Sequence, residues 1–337
     1  MEQRVLGKTG RPVSIVGLGT WQLGADWGLV SEADALAVLR TAVESGVTFF
    51  DTADVYGDGR SEQIIGRFIA GINAPGVTVA TKMGRRVAQV PENYVLENFR
   101  AWTDRSRVNL GVDRLDLVQL HCPPTPVYST DAVYDALDTL VAEERIAAYG
   151  VSVETSAEAL AAIAHPAVAT VQIILNAFRR KPLDEVLPAA AAAGVGIIVR
   201  VPLASGLLSG RYTPETAFAA DDHRTYNRHG EAFDAGETFS GVDYAAGVRA
   251  AAEFAAIVAA PGAFAADPGT AVTSAQAALR WVTQQPGVTT VIPGARNPGQ
   301  ARQNAAAGLL PPLSDAALGQ IEDLYDRYFR ADIHARW

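Results

Sequence analysis

The chain has 337 residues, 49% of them hydrophobic and 19% charged, with a formal net charge of -9. This composition can fill a sizeable core and argues against disorder, while the acidic balance argues against a nucleic-acid or anionic-membrane surface. No apolar stretch reaches membrane-spanning length, and the opening MEQRVLGKTG lacks the apolar region of a signal peptide. The single cysteine, Cys122, leaves no internal disulfide and fits a reducing cytoplasm, where the protein is expected to reside.

In chain order, residues 2–13 read as a short hairpin turning at Gly7, Lys8, Thr9 and Gly10. Short β-rich runs follow: SIVGLG (14–19), VTFF (47–50), VTVAT (77–81), LDLVQL (115–120), AAYGVS (147–152), TVQII (170–174), VGIIVRV (195–201) and VTTVI (288–292). Runs apolar on both faces suit a fully buried parallel sheet. Amphipathic stretches alternate with them. SEADALAVLRTAVESG has Ser31 as its predicted N-cap and Gly46 as its stop, and PENYVLENFRAWTDRSRVNLG stops at Gly111. Eight β/α units without a linker predict one α/β domain over 1–337, a (β/α)8 TIM barrel whose floor the hairpin could cover. A doubly wound sheet is disfavoured because no G-x-G-x-x-G follows the first strand. Residues 211–247, after the seventh strand, form a long Gly-, Asp- and aromatic-rich loop. On a barrel such a loop lies at the catalytic face, and it is expected to act as a lid or cofactor clamp.

Four polar residues sit at or just past these runs: Asp51 and Tyr56 after VTFF, Lys82 after VTVAT, and His121 after LDLVQL. Barrel strand ends bring such groups to one mouth. A phenol has a pKa near ~10, and an adjacent ammonium favours its ionised form. Lys82 is therefore expected to lower the pKa of Tyr56, Asp51 to hold Lys82, and His121 to orient a carbonyl or share its proton. Singly, each residue has a plainer reading: a surface lysine, a loop histidine before Cys122-Pro123-Pro124, or a helix-capping aspartate. Their joint placement points to proton donation during carbonyl reduction.

These motifs resemble the aldo-keto reductase family. GLGTWQLG, FFDTADVYGDGRSEQIIG, LVQLHCPP, YGVSV, VPLASGLLSGRY and VIPGARNPGQARQN occur in the family's order. The resemblance implies reduction of aldehydes or ketones by NADP(H) with Tyr56 as proton donor. It places Gly19, Thr20, Trp21 and Asp51 beside the nicotinamide and its ribose, and Ser152 and Gln172 on the carboxamide. Pro202, Leu203, Ser205, Gly206 and Leu208 would wrap the pyrophosphate, with Arg211 available to a phosphate. Gly294, Arg296, Gln300 and Asn304 would form the adenosine 2'-phosphate and adenine site, aided by a helix N-terminus near Asn297.

Three positions depart from the family pattern. Val153 stands where many members carry Asn. Arg200 stands where many carry an aromatic ring under the nicotinamide, a role a guanidinium plane can also fill. Gly294 replaces a lysine that some members use for the 2'-phosphate, leaving Arg296 as its substitute. Trp21, Trp27, Tyr56 and His121 are expected to border a pocket suited to an apolar or aromatic aldehyde. His223, Arg224 and Tyr226 could reach a polar substrate end or fold the loop onto the barrel. A cofactor-binding regulatory or sensor protein with little turnover is the competing reading, since this fold hosts many functions. No metal is expected, because no His-x-His pair or carboxylate cluster follows the strands. Oligomeric state is not legible, as the Ala-rich helices suit both internal packing and subunit contacts.

Overall fold

A computed structural model describes residues 1–24, 30–72 and 76–337. Strands β1 (Gln3–Val5) and β2 (Pro12–Ser14) form an antiparallel hairpin. Eight parallel strands follow: β3 (Leu18–Gly19), β4 (Phe49–Asp51), β5 (Thr78–Met83), β6 (Leu117–His121), β7 (Tyr149–Ser152), β8 (Thr170–Ile174), β9 (Gly196–Arg200) and β10 (Val288–Val291), each paired with its sequence neighbour. Parallel bridges Val16–Val291 and Gly19–Gly294 bring the two ends of the sheet together. The predicted (β/α)8 barrel is therefore the fold. Gly19 is required at this seam, since a Cβ there would lie 2.7 Å from the Ile292 carbonyl oxygen.

The hairpin packs against the barrel interior, as its sequence predicts. Leu6 and Val13 are fully buried in a cluster with Phe49, Ala80, Leu117, Ile198 and Ile292. Removing a side chain of that size from water is worth about 1.5–3 kcal/mol. At the turn, Gly7 has φ +48°, and a Cβ would stand 2.1 Å from the Ala169 carbonyl oxygen at the start of β8.

Helices surround the strands. In Glu32–Glu44, Ala35, Val38, Leu39 and Ala42 form the buried stripe. Ser31 caps this helix by accepting from the Asp34 N–H at 3.1 Å. Helix Leu96–Leu110 stops where Gly111 turns left-handed at φ +68°. Among the described residues, no helix is long and apolar enough to cross a membrane.

The long loop after β9 ends sooner than 247. Asp243 accepts from the Ala246 N–H at 2.8 Å and starts helix Tyr244–Ala259. Within the loop are short turns at His223–Tyr226, Ala235–Glu237 and Phe239–Gly241. Asn176 donates to Ser240 Oγ at 2.8 Å. The Trp337 ring packs so closely on Gly241 that a Cβ would meet it at 2.1 Å. The loop is thus fastened over the ends of β8 and β9.

Candidate active site

The ends of β4, β5 and β6 carry Asp51, Lys82 and His121, and the turn after β4 carries Tyr56. Burial explains why these strands run into polar residues: each polar group finds its partner on a neighbouring strand end. Lys82 Nζ donates to Asp51 Oδ1 at 2.5 Å, to the Thr52 carbonyl at 2.9 Å and to Tyr56 Oη at 3.5 Å. The other Asp51 oxygen accepts from Gln172 Nε2 at 2.7 Å and Gln119 Nε2 at 3.2 Å. The His121 ring meets the Tyr56 ring edge-on, with centroids 6.0 Å apart. Trp21 stacks on Tyr56, with ring centroids 6.1 Å apart.

The electrostatics depart from the sequence expectation at one point. Burial raises the Tyr56 phenol above its ordinary range, and the opposing pull of Lys82 does not reverse this. Burial alone would lower Lys82, but Asp51 and the phenol leave it raised, hence charged. His121 is driven well below its ordinary value by burial and then by Arg85, Lys82 and Arg200, so the imidazole is neutral. The cluster is a protonated phenol flanked by a fixed ammonium and a neutral imidazole. It can give up a proton and then stabilise the phenolate.

Three residues that the sequence reading did not single out complete the mouth. Arg85 donates from Nε to the His121 carbonyl at 3.1 Å, and its Nη2 lies 3.4 Å from Glu237 and 3.6 Å from Glu154. Arg200 does not present a free plane. It binds Glu154 at 2.8 Å, the Val153 carbonyl at 3.0 Å and Glu237 at 3.5 Å. Burial pushes both carboxyls up, yet Arg200 and Arg85 hold Glu237 low, whereas Glu154 ends raised. Cys122, Glu154 and Glu237 bring ligand atoms within 4.8 Å of one another, but Arg200 already reaches all three. That space is an ion-pair network. Burial pushes the Cys122 thiol up to about 12, which leaves it unreactive.

The other named residues fall into place variously. Thr20 donates from Oγ1 to the Asp51 carbonyl at 2.9 Å. Ser152 lies beside Cys122, whose Sγ is 3.3 Å from its Oγ. Ser205 Oγ accepts from the Phe239 N–H at 2.9 Å and donates to the Glu237 carbonyl at 3.0 Å, so it clasps the long loop. Gly206 is demanded by Tyr212, whose hydroxyl would lie 2.2 Å from a Cβ. Pro202 and Leu208 are buried, Leu203 half-buried and Arg211 exposed. Around the helix Pro298–Ala306, Arg296 N donates to Gln300 Oε1 at 2.8 Å and Asn304 donates to the Gly294 carbonyl at 3.1 Å. The Gln22 amide fills the space a side chain at Gly294 would need. Arg296 is exposed beside this helix start, a donor set that suits an anion. From the long loop, His223 and Phe233 face Trp21 at 5.2 and 6.1 Å. Arg224 binds Asp222 at 2.5 Å and lies 4.4 Å over Phe218, folding the loop on itself. Trp27 lies outside the described residues.

Comparison with known proteins finds relatives over most of the chain. The profile of the Aldo/keto reductase family matches residues 15–326. Aldo-keto reductase YhdN of Bacillus subtilis is 28% identical over 304 residues, covering 89% of this chain and 86% of that protein. The structure of a glycerol dehydrogenase from Gluconobacter oxydans superposes with a TM-score of 0.76 at 27% identity, covering 97% and 95% of the two chains. An aldo-keto reductase from Klebsiella pneumoniae in complex with NADPH superposes at 0.69 with 24% identity, over 96% of each chain. The chain belongs to the aldo/keto reductase family.

Proposed function

We propose that this chain is an NADP(H)-dependent oxidoreductase that reduces an aldehyde or ketone to an alcohol, with residues 1–337 acting as one unit. The observation that carries the reading is the buried Asp51–Lys82–Tyr56 chain, with Lys82 Nζ 2.5 Å from the carboxylate and 3.5 Å from the phenol. Ser152 at the end of β7, Gln172 in the middle of β8 and Arg200 at the end of β9 stand beside it, while Arg296 and the start of Pro298–Ala306 suit a phosphate. This donor set fits a dinucleotide carrying a 2'-phosphate, and a relative from Klebsiella pneumoniae binds NADPH.

When bound, NADPH supplies a hydride to the carbonyl carbon. Tyr56 donates its proton to the carbonyl oxygen, so that C=O becomes a C–H and an O–H bond. Lys82 stabilises the phenolate that remains, and Asp51 keeps Lys82 charged and in place. Neutral His121 orients the carbonyl beside Tyr56 without adding a competing charge. The raised phenol keeps Tyr56 protonated through neutral pH. NADPH consumption with a panel of aldehydes and ketones tests the reading. Tight NADPH binding without turnover of any carbonyl would overturn it in favour of a cofactor sensor.

A further inference from the structure

The mouth of the barrel carries charged groups as well as aromatic ones. Trp21, His223 and Phe233 form one wall. Arg85 and Glu237, one from the turn after β5 and one from the long loop, lie 3.4 Å apart. Neither is sealed in the core: their side chains are 19% and 12% exposed. Both act on the Tyr56 phenol, Glu237 raising its pKa and Arg85 lowering it after burial and the two nearer charges. Arg85 Nε is held by the His121 carbonyl at 3.1 Å and Glu237 lies 3.4 Å from Arg85, so the pair adjoins the proposed reacting centre and is partly open to what occupies it.

The pair also has unused capacity. A guanidinium has five N–H donors and a carboxylate about four acceptor positions. Arg85 spends Nε on the His121 carbonyl and Nη2 on two carboxylates at 3.4 and 3.6 Å, while Nη1 bonds to no described residue. Glu237 shares a side-chain hydrogen bond with Glu154 and otherwise, among the described residues, has only the long contacts to Arg85 at 3.4 Å and Arg200 at 3.5 Å, so part of its acceptor capacity stays open. Covering these groups with an apolar substrate would remove water without replacing its hydrogen bonds, a cost of about 1–3 kcal/mol per group. A hydroxyl can donate to the carboxylate and accept from the guanidinium at once. The aromatic wall meanwhile suits the C–H face of the same molecule.

We infer that Arg85 and Glu237 are specificity-determining residues that bind a hydroxyl close to the reacting carbonyl, so that the substrates are hydroxylated carbonyl compounds rather than simple aldehydes. This rests on the reductase reading above. Sites built to hydrogen-bond a substrate hydroxyl discriminate strongly against the analogue lacking it.

The test compares glyceraldehyde with propanal, which share a carbon skeleton and differ in hydroxyls. Wild type is expected to favour glyceraldehyde in kcat/KM by about tenfold or more. Glu237→Gln and Arg85→Gln should each shrink that preference by about tenfold, losing far more on glyceraldehyde than on propanal. Using the ratio of the two substrates cancels any general loss from a loosened loop. Arg85→Gln gives an independent reading if the loop variant is poorly folded. A wild-type ratio near one, or a ratio unchanged in both variants, would overturn the inference while leaving the reductase reading intact. Failure of wild type to reduce either aldehyde or any other carbonyl would instead overturn the reductase reading.

Discussion

Lys82 Nζ lies 2.5 Å from Asp51 Oδ1, and neither side chain is more than 3% exposed. A buried pair of this kind is expensive to break from one side, about 3–5 kcal/mol, because the remaining charge is stranded. Asp51 is less exposed to that loss than Lys82, since Gln119 and Gln172 also donate to it.

Lys82→Met should therefore abolish the stabilisation of the phenolate while leaving Asp51 hydrogen-bonded. Steady-state kinetics should show kcat reduced by about 10²–10⁴ with a folded circular-dichroism spectrum. Asp51→Asn, which strands the ammonium, should lower the thermal unfolding midpoint more than Lys82→Met does. The opposite order would mean that the two amides contribute little.

The pH dependence follows from the phenol. Only the protonated form of Tyr56 donates, and its pKa lies above the ordinary 10.0. Reduction should lose its rate only on an alkaline limb above pH ~10. Because His121 is driven well below its ordinary value, no acid limb at the usual histidine position should belong to it. A kcat/KM profile whose main fall lies between pH 7 and 8, about two units below that limb, would contradict the assignment.

Asp54 yields a stability prediction. Both carboxyl oxygens are buried without a hydrogen-bond partner, and burial, then Glu62, raises its pKa from 3.8 to about 7. The folded state thus keeps a proton that the unfolded chain releases above 3.8, so stability falls as pH rises through that window and the loss is complete above about 7. Asn at this position does not ionise. Asp54→Asn should gain stability over wild type as pH rises from the acid end of that window to its top, on the order of 2–4 kcal/mol. Denaturant titrations at both ends of the window check this, and a constant difference would refute it.

Arg296 supplies the cofactor prediction. Charge-assisted hydrogen bonds are worth about 1.5–3 kcal/mol, so Arg296→Ala should weaken NADPH by about tenfold to a hundredfold. NADH, which lacks the 2'-phosphate, should change much less. Equal weakening in fluorescence titrations would remove Arg296 from that role.

The barrel was legible because each of its strands is buried on both faces and announces itself as a short apolar run. The polar ends of β4, β5 and β6 were legible for the same reason, since a charge closing such a run needs a partner. Gln119 was missed because it sits inside LVQLH and reads as strand interior, although its amide reaches Asp51. Arg85, Glu154 and Glu237 come from three separate turns with no shared spacing, so only the folded loop brings them together. The contacts of Ser205 with the Phe239 N–H and of Gly206 with the Tyr212 ring were not legible either. Local pattern does not reveal which distant loop will lie against a turn.

The most direct test of the central claim is NADPH consumption with a reducible aldehyde by wild type and Tyr56→Phe, with NADPH affinity measured on both. Wild type should turn over, and Tyr56→Phe should bind NADPH nearly as well but lose the reaction. A variant that keeps half the wild-type rate would contradict Tyr56 as the proton donor.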